Sequence, residues 1–79
     1  MNISVLTPDK GIFDGEIVSV KVPGTDGQFQ VLKNHAPIVA SLATGNVTIV
    51  KAGGEKMIFP IKSGFIEVLN NEISLLVQA

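Results

Sequence analysis

Apolar residues recur at every second position through most of the chain: Val18, Val20 and Val22; Phe29 and Val31; Val47 and Ile49; Met57, Phe59 and Ile61; Ile73, Leu75 and Val77. That period belongs to a β-strand with one buried face. Turn-forming residues separate the runs at Pro8-Asp9-Lys10-Gly11, Asp14-Gly15, Pro23-Gly24-Thr25-Asp26-Gly27, Thr44-Gly45-Asn46, Gly53-Gly54 and Asn70-Asn71; each pattern tolerates tight or positive-φ backbone. The runs are rich in Val and Ile, which suit a pleated surface, and no window of a dozen residues carries an apolar stripe at helical spacing. Many short strands in close succession predict an all-β sandwich or barrel.

Two local antiparallel hairpins stand out. One pairs Asn46–Val50 with Lys56–Ser63 around Gly53-Gly54, and the other pairs Phe65–Leu69 with Glu72–Gln78 around Asn70-Asn71. Pro60 lies inside the first pairing and has no N–H to donate, so its strand is expected at a sheet edge. Asn34 to Pro37 breaks the alternation, and Pro37 biases Ala36 away from helix; an exposed loop entering the next strand is expected there.

Composition narrows the function. At 79 residues the chain holds one domain, residues 1–79. Such a chain buries only about 60% of its unfolded surface, and without cysteine no disulfide supplements the core. Hydrophobic residues make up 46% and charged residues 16%, so part of the apolar surface is expected to meet a partner. Net charge is −1, from six lysines, no arginine and seven carboxylates. The clustered Lys and Arg that nucleic-acid binding requires are missing. No basic flank with a long apolar run marks Met1–Pro8 as a signal peptide, and no stretch reaches the ~20 apolar residues of a membrane span; a soluble intracellular protein is the expectation. The sequons Asn2-Ile3-Ser4 and Asn46-Val47-Thr48 read as chance matches.

Candidate chemistry is sparse. His35 is the single histidine, with no companion at metal-ligand spacing and no nucleophile beside it; a loop histidine contacting a neighbour or a partner is the favoured reading. Gly24-Thr25-Asp26-Gly27 lacks the following helix that a phosphate cradle needs, and reads as a turn. The carboxylates Asp9, Asp14, Glu16, Asp26, Glu55, Glu67 and Glu72 fall in turns or on polar strand positions, as a solvated surface would have them. Glu55-Lys56-Met57 loosely resembles the lysine turn of biotinyl and lipoyl carrier domains, but Gly53-Gly54 already occupies the tip, so a solvated strand lysine is favoured. No cofactor and no metal is expected, nor is an enzyme.

Three ordered segments together resemble a known family. Gly24-Thr25-Asp26-Gly27-Gln28-Phe29-Gln30-Val31-Leu32-Lys33-Asn34-His35-Ala36-Pro37 is similar to its signature of a Gly-x-x-Gly turn, a short strand and a Gly-His-Ala-Pro-like loop. Ile3–Thr7 with Gly11-Ile12-Phe13-Asp14-Gly15 resembles its opening strand and Phe-x-Gly turn, and Ser63-Gly64-Phe65-Ile66-Glu67-Val68 resembles its Gly-Gly-Phe-x-Glu-Val hairpin. The family is the amino-terminal β-sandwich domain of the F-type ATP synthase epsilon subunit, called delta in mitochondria. The resemblance covers essentially the whole chain.

This resemblance implies an antiparallel sandwich of two sheets with about ten short strands, and a non-catalytic rotor subunit seated between the gamma subunit and the membrane-embedded c-ring. Its job would be to fasten gamma to the ring so that proton- or sodium-driven rotation reaches the catalytic head. In a bacterial source it would be peripheral, at the cytoplasmic face of the cell membrane. By position, Thr7, His35 and Ala40 resemble residues of the gamma-facing side, and Gln28 occupies the place of an acidic residue facing the c-ring. The family often has Glu at Gln28 and Gly at Gln30 and Asn34; a neutral hydrogen-bonding contact to the ring is the expectation here. Many members continue into carboxy-terminal helices that inhibit hydrolysis. This sequence stops at Ala79, so the expected form is the short one, without that helical brake. A carrier domain and a generic β interaction module are the competing readings.

Overall fold

Alternation at period two gives eight strands: β1 (Asn2–Leu6), β2 (Gly11–Gly24), β3 (Gly27–Leu32), β4 (Ile38–Leu42), β5 (Gly45–Lys51), β6 (Lys56–Ile61), β7 (Ser63–Leu69) and β8 (Glu72–Gln78). The structure, a computed structural model, describes all 79 residues, and none of its elements is helical. Strand β2 organises the rest. Its first half pairs with β1, from Glu16 opposite Asn2 to Phe13 opposite Val5; its second half pairs with β3 on one side and β5 on the other. One sheet therefore runs β2–β1–β8–β7–β4, and the other β3–β2–β5–β6. A single bridge, Gly24 opposite Leu42, joins them at the far corner.

The expected sandwich of two sheets is what forms, and nearly all its pairs are antiparallel. The parallel pair joins β1 to β8, from Asn2 opposite Glu72 to Leu6 opposite Leu76, and ties the start of the chain to its last strand. Both expected hairpins form, with Thr48 opposite Ile58 and Phe65 opposite Leu76, although the returning arm of the first ends at Ile61 and Ser63 already belongs to β7. Asn70 (φ 51°) and Asn71 (φ 63°) make the two-residue left-handed turn that matches strand twist. Pro60 is exposed on β6, which pairs only with β5 and so is an edge, where a missing N–H does no harm.

Two expectations fail around the middle of β2. Asp14-Gly15 is no turn: both residues lie inside the strand, opposite Ser4 and Ile3, and a Cβ on Gly15 would sit 3.1 Å from the Phe13 ring. Val18, grouped with Val20 and Val22 by alternation, is 52% exposed, while Ile17 takes the buried position. The cause is a register irregularity between Ile17 and Ser19 opposite β5; an extra residue flips the face of everything before it. That irregularity lets one strand turn its apolar side inward in both sheets.

The core between the sheets consists of fifteen buried apolar side chains. Val20, Val22, Val31, Val47 and Ile49 come from one sheet, and Ile3, Val5, Ile66, Val68 and Leu75 from the other. Full burial of each such side chain contributes about 1.5–3 kcal/mol. No buried side-chain polar atom lacks a hydrogen-bond partner.

Candidate partner-binding surfaces

The residues singled out from the sequence lie at three different places. Thr7 follows β1 and closes the turn to β2: its N–H donates to the Lys10 carbonyl (2.8 Å), its hydroxyl donates to the same oxygen (3.0 Å), and the Lys10 N–H donates back to the hydroxyl (3.1 Å). His35 sits in the β3–β4 loop at the opposite end of the sandwich. Its N–H donates to the Leu32 carbonyl (3.1 Å), and Nδ1 lies 2.6 Å from the Ala36 carbonyl. A carbonyl only accepts, so Nδ1 carries the proton in this contact.

The His35 loop is tied down from across the fold. Asn34 has φ 66°, the left-handed conformation that Gly and Asn adopt most readily. Its N–H donates to Asn71 Oδ1 (2.7 Å), and Asn71 Nδ2 donates to Asn34 Oδ1 (3.1 Å). The two-residue turn between β7 and β8 thus holds the loop that presents His35. The Asn71 carbonyl also accepts from the Asn2 N–H (3.0 Å), so β1 starts from the same knot.

Ala40 is half-buried on β4, opposite Ile66, and packs against the core. Gln28 is exposed on β3, opposite Pro23. These two line one open groove of about 550 Å³ between the β2–β3 hairpin and β4. The hairpin is tied to the β4 end by two hydrogen bonds, the Thr25 N–H donating to the Ser41 carbonyl (3.0 Å) and the Ala43 N–H to the Pro23 carbonyl (2.7 Å). The structure brings Gln28 and Ala40 together and leaves Thr7 and His35 apart, separated by the length of β1, about 13 Å at ~3.3 Å per step.

Pairing alternation could not find the groove or the Asn34–Asn71 knot, because both depend on strands distant in sequence. The single prior signal was the two turn-forming Asn residues. Elsewhere, Lys56 opens β6 opposite Val50 and is exposed, with Ala52 to Glu55 forming the tip before it. Lys51 bridges to Glu55 across that tip (3.8 Å), and its ammonium stands 4.9 Å from the Phe13 ring centroid. No three His, Asp or Glu side chains gather anywhere. No helix is long and apolar enough to cross a membrane.

Fold and placement together define a small β-sandwich whose sequence-marked residues occupy loops and an open groove between sheet edges. The family described as ATP synthase, Delta/Epsilon chain, beta-sandwich domain matches residues 1–79, and the chain belongs to it. An ATP synthase epsilon chain of Protochlamydia amoebophila is 42% identical over 77 residues, covering 98% of this chain and 52% of that one. The epsilon chain of Chlorobium limicola is 41% identical over 76 residues, covering 96% of this chain and 86% of its own length. The chain spans about half the length of the first of these relatives. Among solved structures, a chain of the Euglena gracilis mitochondrial ATP synthase, in a structure of its OSCP, F1 and c-ring, superposes with TM-score 0.90 at 23% identity, covering 98% of this chain and 49% of that chain. A chain from the central stalk and c-ring of the Tetrahymena thermophila enzyme gives 0.82 at 17%, covering 100% and 63%. At those identities the likeness shows a shared fold.

Proposed function

We propose that this chain is a central-stalk subunit of an F-type ATP synthase that fastens gamma to the c-ring, and that it works through surfaces, with no active site of its own. The carrying observation is the family match over the full 79 residues. The architecture supports it, because a close-packed sandwich crossed by one continuous strand transmits torque without bending. The reading places the chain at the membrane only through the complex, on the cytoplasmic face in a bacterial source. Gamma is contacted from the side of Thr7, His35 and Ala40, and the ring from the side of Gln28.

The positions constrain this reading. Thr7 and His35 lie at opposite ends, so a gamma contact reaching both must run the length of the sandwich. An ordinary interface buries about 800 Å² per partner, a patch roughly 30 Å across. The longest axis of the molecule is 26 Å, so one such contact suffices. Gln28 sits across the groove from Ala40, and the groove is then the line along which the two partners meet.

The reading is tested by tagging the chain in its native host and purifying it under conditions that keep the membrane ATPase intact. Recovery of gamma and the c-ring with the tag is expected; a chain that stays free of an intact complex would falsify the proposal. Gln28→Glu is expected to make ring association more salt-sensitive, since it adds an exposed charge to a neutral contact. An unchanged salt profile would remove Gln28 from the ring contact.

A further inference from the structure

The strands at the margins of the two sheets differ in how their open sides are protected. β6 pairs with β5 alone and carries Lys56 and Pro60. The first half of β2 has β1 on one side and carries Asp14 and Glu16. β4 pairs with β7, and its other side is capped by the β2–β3 hairpin, where the Thr25 N–H donates to the Ser41 carbonyl (3.0 Å). Charge, proline and a covering loop are the usual devices that keep an edge from recruiting another strand. β3 pairs with β2 alone and has none of them. Its sequence Gly27-Gln28-Phe29-Gln30-Val31-Leu32 carries no charge and no proline, and its register against β2 is unbroken.

Register fixes which backbone groups of β3 are free. Gly24 bridges Leu42 through its neighbours, the Pro23 carbonyl and the Thr25 N–H, so the backbone groups of Gly24 itself face β3. Alternation then turns Val22 and Val20 toward β3 as well, and their partners Gly27, Phe29 and Val31 toward β2. Gln28 and Gln30 therefore direct N–H and C=O outward, where no strand lies. Leu32 shares that direction, but its carbonyl already accepts from the His35 N–H (3.1 Å). The Gln28 and Gln30 side chains are exposed, and Phe29 is half-buried against the core. Asp26 stands just before the strand and Lys33 just after it, both exposed.

We propose that the β3 edge is completed by a second copy of this chain, its own β3 added antiparallel about a two-fold axis at Phe29. In this register Gln28 of each copy lies opposite Gln30 of the other, and each such pair exchanges two hydrogen bonds through groups left open in the single chain. The two Phe29 side chains form the non-hydrogen-bonded pair between them, the closer kind, where an aromatic pair adds to stability. An axis at Gln30 would instead require the occupied Leu32 carbonyl. Charge selects the direction: antiparallel pairing brings Lys33 of one copy beside Asp26 of the other at both ends, whereas parallel pairing sets like charges together. The product is a continuous sheet, β6–β5–β2–β3 followed by its two-fold image. A contact of one short strand per copy falls below ~1,200 Å², the class of weak and transient interfaces, so the pairing belongs to free chains at high concentration. It goes beyond the stalk reading, in which Gln28 faces the ring; pairing and ring contact are alternative uses of one edge.

The test is sedimentation equilibrium of the full chain from micromolar to millimolar concentration at low salt, with far-UV circular dichroism to verify that each variant stays folded. A reversible monomer–dimer equilibrium is expected. Gln30→Pro removes an outward N–H from each copy and spares the ladder to β2; it should weaken the dimer by at least about tenfold. Lys33→Asp should weaken it about threefold to tenfold, and adding Asp26→Lys to that variant should restore it, because the two ends then attract again with signs exchanged. Salt should weaken the parent dimer and the double variant alike. A chain that stays monomeric at millimolar concentration, a dimer indifferent to Gln30→Pro, or a double variant no better than Lys33→Asp would each overturn the proposal. None of these outcomes bears on co-purification with the ATPase, so the two readings fail separately.

Discussion

The two ends of the sandwich are closed by different physics. At the end carrying His35, loops are held by hydrogen bonds between side chains and backbone: Asn34 and Asn71 exchange amides, and Asn2 joins them through its N–H. At the end carrying Thr7, the Thr7–Lys10 turn is hydrogen-bonded as well, but the strand ends beside it meet by close approach. A Cβ on Gly64 would lie 2.7 Å from the Leu76 carbonyl and 3.2 Å from Val77 Cγ1, and one on Gly45 would lie 2.7 Å from the Pro23 ring. The hydrogen-bonded end is adjustable, because an exposed amide can trade its partner for water at small net loss. The packed end is not, because backbone cannot yield to an added methyl without moving a strand.

This contrast is broken most directly at Gly64. Gly64→Ala is expected to destabilise the fold by about 3 kcal/mol, a fall in melting temperature of more than about 10 °C for a chain of this size. A thermal melt within 2 °C of the parent, about the scatter of neutral surface changes, would show that this end relaxes freely. Gly45→Ala is expected to follow at roughly 2 kcal/mol, since the obstructing group is a ring with little freedom; urea denaturation measures it.

Effects at the other end should be smaller and should reach His35. Asn71→Gly keeps the left-handed turn and deletes the amide, so about 1 kcal/mol is expected, together with changed ring-proton resonances of His35. If those resonances stay put, the knot does not position the loop. Asn34→Gly retains the backbone N–H that donates to Asn71 and suits φ 66°; a change below about 0.5 kcal/mol is expected. A larger loss there than in Asn71→Gly would reverse the assignment of which amide holds which.

How much of this was legible in advance varies by residue. The hairpins at Gly53-Gly54 and Asn70-Asn71, the exposed Pro60 and the inward faces of β5 and β8 follow from local pattern, since period-two alternation and turn chemistry act over a few neighbouring residues. Val18 defeated that pattern because a bulge depends on the partner strand's register. Asp14-Gly15 looked like a turn because nothing local reveals that β1 lies alongside. Of the residues marked for partners, His35 lies in the loop expected around it and Gln28 is exposed on β3, yet their separation from, or proximity to, Thr7 and Ala40 needed the assembled sheets.

The sequence by itself determined an all-β chain, its local hairpins and its family, because these rest on residue order and short-range spacing. Tertiary structure alone decided the parallel union of β1 with β8, the passage of β2 through both sheets and the Asn34–Asn71 knot. Each of these joins residues dozens of positions apart. Such contacts form only when burial of the common core outweighs the entropy of closing long loops, a balance set by the whole molecule.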